Sequence, residues 1–325
     1  MTRIQFSDSD DPIDIRYDNV FKAVFTRDNP VSRGALSNLI SAMINRDILI
    51  ISIYANEPPA DNILDRQIRF DINCKTIEGE LVNVEMSLNP DPFEPVRLEY
   101  YAGKLFIGQD IRGTDKTYDD LRQTYQIAIL AKEYFFPDET YLHTFEYYDP
   151  VHAISLNGRC RIITLELSKI DSLNEKSTEG MSAVESWAYY FQYLTDREKR
   201  QKINQILRKE EGIAMASEVL ISISKDETER ARLLSEYKYQ VDTQSKLVHA
   251  KRQGRKEGMQ QGMHKGMQQG LQKGIQQGVQ QGIALGTGQT REDIARKALK
   301  EGVSVEIIQK ITGLDTETLK NLSNK

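Results

Sequence analysis

Two acidic side chains carry the strongest chemical signal in the sequence: Asp71, in Arg69-Phe70-Asp71-Ile72-Asn73-Cys74, and Glu85, in Leu81-Val82-Asn83-Val84-Glu85-Met86-Ser87. Both runs alternate apolar and polar residues, the period of a strand with one polar face. Between them Thr76-Ile77-Glu78-Gly79 fits a type I turn closed by a left-handed glycine, a three-residue hairpin loop with a G1 bulge that pairs Thr76 with Glu80. Counting back from that pair sets Asp71 opposite Glu85, Asn73 opposite Asn83 and Arg69 opposite Ser87, all on the polar side. Like charges directly opposed destabilise a sheet, so the pair asks for a bound cation or an interleaved base such as Arg69. Magnesium or manganese suits such a site, because hard ions take oxygen ligands, one or two of them carboxylates. An ion held there would activate water against a phosphodiester and offset charge growing on the phosphate. The same spacing also fits a solvated sheet face whose charges serve no chemistry.

The elements that must position these acids fall in four zones. Residues 1–175 alternate aromatic and aliphatic residues with polar ones and include β-branched runs such as Arg161-Ile162-Ile163-Thr164-Leu165, which predicts a mixed α/β domain. Residues 176–253 read as helical, with Trp187, Tyr190, Phe191 and Leu194 on one face. The basic run Arg197-Glu198-Lys199-Arg200-Gln201-Lys202 lies here and fits a solvated helix face or a phosphate-tracking patch. Residues 254–288 place glycine at every fourth position, as in GMQQGMHKGMQQG, either as a helix that associates with another along its glycine and apolar stripes or as a flexible tether. Residues 289–325 resolve into short helices: Thr290 is expected to cap one from Arg291 to Glu301, Gly302 to close it, Ser304 to open the next, and Gly313 to precede a third near Asp315. That segment suits a helix-turn-helix, or a docking or dimerising cap.

Bulk properties narrow the classes. At 325 residues the chain is long enough for an enzyme domain with satellites. With 43 Lys and Arg against 48 Asp and Glu, its net charge of −5 confines any nucleic-acid contact to a local patch. Cys74 and Cys160 form no disulfide framework, and the four histidines add no zinc spacing. No stretch approaches the roughly 20 apolar residues of a membrane span, and the acidic N-terminus lacks the apolar core of an export signal, so a cytoplasmic protein is expected.

Several ordered segments resemble the Rpn family of recombination-promoting nucleases, the "putative transposases" of the PD-(D/E)XK superfamily. Tyr17-Asp18-Asn19-Val20-Phe21-Lys22-Ala23-Val24-Phe25 is similar to that family's D-x-x-F-K-x-x-F opening. Asp71 falls where the family carries its metal-binding Asp, and Asn83-Val84-Glu85-Met86 on its N-[IV]-E-[MI]-Q strand. Arg97, Tyr100, Tyr101, Lys104 and Leu105 resemble its R-x-x-Y-Y-x-x-K-L helix, Tyr118 and Leu121 its Y-x-x-L element, and Glu166-Leu167-Ser168-Lys169 its E-L-x-K strand. The resemblance spans residues 14–170 and implies an αβββαβ restriction-endonuclease-like core with a mixed central sheet flanked by helices. It further implies divalent-metal-dependent DNA endonuclease activity linked to recombination or mobile DNA, with Asp18 supporting the two acids. The bare sequence gives Asp18 another role too, as a charge complementing the first helix dipole. One departure stands out: Ser87 occupies the position where the superfamily has Lys and this family usually Gln. Lys104 or Arg69 are the candidates to replace the missing group.

Three functions are therefore in contention. The leading one is a magnesium- or manganese-dependent DNA endonuclease using Asp71, Glu85 and Asp18 for metal, with Ser87, Lys104 and Arg69 near the scissile phosphate. The second is a catalytically degenerate nuclease-fold DNA-binding or regulatory protein, favoured by Ser87. The third is an assembly protein, homo-oligomeric through the glycine repeat and C-terminal helices. A DDE-type transposase does not fit, because both acids lie on one hairpin.

Overall fold

In the computed structural model, which describes residues 4–54, 71–90, 93–111, 115–132 and 135–323, eight strands and nine α-helices are present among the described residues. The helices α1 (Asp18–Phe25) and α2 (Pro30–Ile44) precede the strands β1 (Ile50–Tyr54), β2 (Ile72–Thr76) and β3 (Leu81–Ser87). The helix α3 (Glu94–Ile107) leads to β4 (Thr124–Leu130), β5 (Leu142–Phe145), β6 (Tyr148–Asp149), β7 (Ile154–Ser155) and β8 (Cys160–Glu166). Six strands join in the order β1-β2-β3-β4-β8-β5, while β6 and β7 pair separately. β2 runs antiparallel to both β1 and β3, while β3, β4 and β8 are parallel and β5 closes the edge antiparallel to β8. This is the mixed sheet and αβββαβ order expected from the sequence.

Burial explains the strand patterns. Every residue of β4 is buried, as a parallel strand covered on both faces requires. On one face Ile72, Cys74, Val82, Val84 and Met86 meet Phe21, Phe25, Leu36 and Leu39 of α1 and α2. Asn29 caps α2 by accepting from Ser32 N, Pro30 opens it, and Asn45 ends it in the left-handed region at φ 57°. On the other face Leu98 of α3 packs with Ala128, Leu130 and Ile162.

Across the boundary expected near residue 175, the chain continues into the same core. The helices α4 (Ala183–Tyr193), α5 (Arg200–Lys209) and α6 (Glu211–Lys225) bury Trp187, Tyr190, Phe191, Leu194, Ile203, Ile206 and Leu220 against the sheet's aliphatic side. A capping box of Ser182 and Glu185 starts α4. The chain divides into two compact units, Met1–Val241 and Asp242–Lys325.

The second unit departs from one expectation. The helix α7 runs unbroken over Glu227–Lys300, followed by α8 (Val305–Thr312) and α9 (Thr316–Ser323). Thr290 is therefore no N-cap: its hydroxyl donates to Gly286 O at 2.8 Å, one turn back inside the helix. The later punctuation stands as expected, with Gly302 and Gly313 at φ 81° and 69°, and Ala295, Ile308 and Leu319 forming a small core. The glycine repeat is helical, and Met259, Met263, Met267, Leu271 and Ile275, each following a glycine, are all exposed.

The β2–β3 hairpin is the element that matters most for the site. Thr76 N donates to Glu80 O at 3.0 Å, Gly79 N to Thr76 O at 2.9 Å, and Gly79 sits at φ 84°, the predicted three-residue loop. An added Cβ at Gly79 would meet only ordinary contact with Arg122 at 3.5 Å, so backbone conformation alone sets the cost of substitution. Gly79→Ala is expected to destabilise the protein by about 1 kcal/mol, and Gly79→Asn by less. Urea denaturation checks this, and equal stability of Gly79→Ala and wild type would remove the turn's claim to set the register.

Candidate active site

The hairpin ladder pairs Asn73 with Asn83 and Ile72 with Val84. One residue further along the same register lies the expected opposition of Asp71 and Glu85, at the open end of the hairpin. Met86 N donates to Asp71 Oδ2 at 3.2 Å, tying that carboxylate to the β3 backbone.

Glu85 is held by its own face of the sheet. Asn83 Nδ2 donates to Glu85 Oε1 at 3.0 Å and to Gln126 Oε1 at 2.9 Å, with Gln126 beside Asn83 in the parallel ladder. Arg97, one turn into α3, lies 3.4 Å from Glu85 Oε2 and also pairs with Glu94. Asn83, Glu85 and Gln126 are all buried. The face that sequence alone also allows to be solvated is a closed polar layer.

Asp71 is approached from the opposite layer. Lys22 Nζ lies 3.0 Å from Asp71 Oδ1 and 3.0 Å from Asp18 Oδ2, so α1 contributes an ammonium bridging two carboxylates. Burial lowers the affinity of Lys22 for its proton, but Asp71 and Asp18 outweigh it and the net shift is upward. Burial pushes Asp71 well above the usual carboxylate range; Asp18 and Glu85 add to this and Lys22 opposes it. Burial likewise raises Glu85 to about 7, against the pull of Arg97 and Asn83. Each acid is thus ionised only at an energetic penalty that a nearby positive charge would relieve.

The remaining predicted residues are distributed unevenly. Asp18 stands at the start of α1 and joins Asp71 through Lys22. Ser87 ends β3 beside Leu130, half-buried, its carbonyl accepting from Ala131 N at 2.9 Å. Lys104 is not brought to the acids. It stands seven residues beyond Arg97 on α3, roughly 10 Å along the axis, and lines a cleft with Asn73, Lys75 and Leu81 toward the loop end of the hairpin. Arg69 lies outside the described residues. Sequence reasoning missed Lys22, Arg97 and Gln126 as members of the site. Gln126 left a signal, a lone amide in the apolar run Tyr125-Gln126-Ile127-Ala128-Ile129-Leu130.

The donor set fits a hard cation in kind. Among the described residues no three His, Cys, Asp or Glu side chains gather in a metal-binding cluster. Asp71 and Glu85 offer only oxygen, with buried negative charge in excess, and magnesium commonly makes do with one or two carboxylates and water.

A mixed sheet whose antiparallel hairpin carries one acid on β3 and another just before β2 and feeds a parallel pair, with helices on both faces, defines a protein of the PD-(D/E)XK nuclease class. The family model described as PD-(D/E)XK nuclease family transposase matches residues 15–250, and the chain belongs to that family. No curated protein and no solved structure matches it. Membership carries a nuclease-like or transposase-related function, a superfamily habit of using divalent metals, and DNA as the family's substrate. Among the described residues, no helix is long and apolar enough to cross a membrane.

The raised Glu85 has a thermodynamic consequence. Between its unfolded value of 4.5 and about 7 the folded protein binds more protons than the unfolded chain, so this group's stabilisation is complete at low pH and is lost as pH rises through that window. In EDTA, Glu85→Gln is expected to gain stability relative to wild type between about pH 5 and about pH 8, by roughly 3 kcal/mol at most. Denaturant titrations at the two pH values decide it, and a difference that does not change with pH would contradict the assignment.

Proposed function

We propose that this protein is a divalent-metal-dependent DNA endonuclease, using magnesium or manganese and acting in recombination or on mobile DNA. The observation that carries the reading is the pair of carboxylates at one end of a hairpin, Glu85 buried and Asp71 partly buried, both held above their ordinary range. A divalent ion bound there supplies activation of water and neutralisation of charge on the phosphate.

The chain's own groups do the rest. Met86 N and Lys22 fix the Asp71 carboxylate from two directions, and Asn83 orients Glu85. Lys22 opposes the effect of burial and so favours the ionised form of Asp71. Arg97, 43% exposed yet anchored to Glu85 and Glu94, presents guanidinium N–H donors toward solvent where a phosphate oxygen can accept them. Ser87 supplies a neutral hydroxyl at the end of β3, shorter and weaker than the amide or ammonium usual at that position.

A second reading is a nuclease-fold protein that binds DNA or regulates without cleaving it. Ser87 favours it, as does the position of Lys104, which lies beside Asn73 and Lys75 in place of substituting for the missing group.

Supercoiled plasmid in magnesium or manganese separates the two. Wild type is expected to nick it, Asp71→Ala and Glu85→Ala to reduce nicking to background, and Arg97→Gln to slow it by roughly 100-fold. Intact plasmid with wild-type protein under these conditions, together with retained DNA binding, would replace the first reading by the second. Ser87→Lys restoring activity would then identify the one missing group.

A further inference from the structure

The polar face of the hairpin continues past the acids. Side chains two residues apart share a strand face, so Asp71, Asn73 and Lys75 form one row and Glu85, Asn83 and Leu81 the row beside it. Both rows run from the acidic end toward the loop. α3 runs the same way above them, with Arg97 at the acids and Lys104 over the far end. There a cleft of about 740 Å³ opens, into which Asn73, Lys75, Leu81, Lys104 and Arg122 converge.

The cleft's charges do not cancel locally. Glu78 is bonded to Arg46 at 2.7 Å, and Asp110 to Lys116 at 2.9 Å. Asp120 accepts from Thr117 N at 2.7 Å and keeps its charge near Arg122, so the excess of Lys75, Lys104 and Arg122 over it is two positive charges. Lys75, Lys104 and Arg122 form no ion pair among the described residues, and the Asn73 side-chain oxygen is buried without a hydrogen-bond partner. Unpaired cations over a partly apolar floor suit an extended polyanion, whose repeating charge repays each ammonium without a fixed geometry.

We infer that this cleft is a DNA-backbone subsite, in which Lys75, Lys104 and Arg122 hold the strand that leads away from the Asp71 and Glu85 end of the hairpin. The inference rests on the nuclease reading for its direction, while the cleft's binding role is testable by itself. Four residues of strand separate Asp71 from Lys75, roughly 13 Å, which corresponds to about four base pairs of duplex from the acids. Lys104 then acts in DNA binding, and its distance from the acids follows from that task.

The test is the salt dependence of binding to a short labelled duplex, read by fluorescence anisotropy in calcium. Replacing Lys75 and Lys104 by Gln is expected to lower the slope of log K against log salt by about two, and adding Arg122→Gln by about one more, irrespective of sequence. Lys225→Gln with Lys238→Gln removes the same net charge as the cleft pair from exposed positions on α6 and α7 and is expected to leave the slope near wild type. Thermal melts of each variant confirm that it is folded. An unchanged slope in the cleft variants, or an equal loss in the control pair, would overturn the subsite. So would a cleft-dependent slope seen with RNA alone. If wild type binds DNA through the cleft yet nicks nothing, the subsite stands and the endonuclease reading falls. Nicking with no cleft dependence has the opposite meaning: the endonuclease reading stands and the subsite falls.

Discussion

The rest of the site depends on one unfavourable juxtaposition, a buried and a partly buried carboxylate at the same end of a β-hairpin. Taking Asp71 and Glu85 out of water costs free energy, and their mutual repulsion adds to the penalty. The surrounding structure limits that cost without abolishing it. Lys22 reaches Asp71 from α1, Arg97 reaches Glu85 from α3, and Asn83 and Gln126 extend the polar layer beside Glu85. A protein under selection for stability alone would place apolar side chains at these positions, since a buried ionic cluster is often no more stable than its hydrophobic replacement. Its retention beside an extensive core points to work that only charge can do.

The two faces of the sheet divide the labour. The aliphatic face is closed by α1, α2 and α4 to α6, whose aromatic residues fill the core and make the hairpin a rigid platform. The polar face is crossed by the helix α3, whose length is used in two ways. Its first turns deliver Glu94 and Arg97 to Glu85, and its later turns carry Lys104 over the loop end of β2 and β3. A helix lying along a strand pair thus turns a seven-residue interval into two separate positions, one at the acids and one at the proposed DNA cleft.

Much of this was legible in the sequence, for identifiable reasons. The Thr76 to Gly79 loop specifies its own register because a left-handed glycine leaves few alternatives, and the register alone opposes Asp71 and Glu85. The order of strands and helices followed from the alternation of periods and from the family resemblance. What escaped were contacts between distant segments. Lys22 and Asp71 are brought together only when α1 docks on the sheet, and no local pattern encodes that meeting. For Lys104, proximity to the hairpin is legible in the sequence while its position along it is not, although the interval from Arg97 implies two turns of helix. Thr290 failed as a cap because capping residues also occur inside helices, bonded to the carbonyl one turn back.

On the endonuclease reading proposed above, the charge count at the acids bears on the role of Ser87. Asp18, Asp71, Glu85 and Glu94 are four carboxylates linked through two cations, Lys22 and Arg97, which leaves two negative charges, the complement of one divalent ion. Without such an ion, the upward shifts of Asp71 and Glu85 describe the other way to restore balance, by retaining protons. In this arrangement the cations come from the helices on either side of the sheet, so the end of β3 can carry a neutral group without leaving the acids unattended. On that reading, what position 87 lacks is orientation of water or phosphate, a geometric task whose loss is expected to slow chemistry more than it weakens metal or DNA binding.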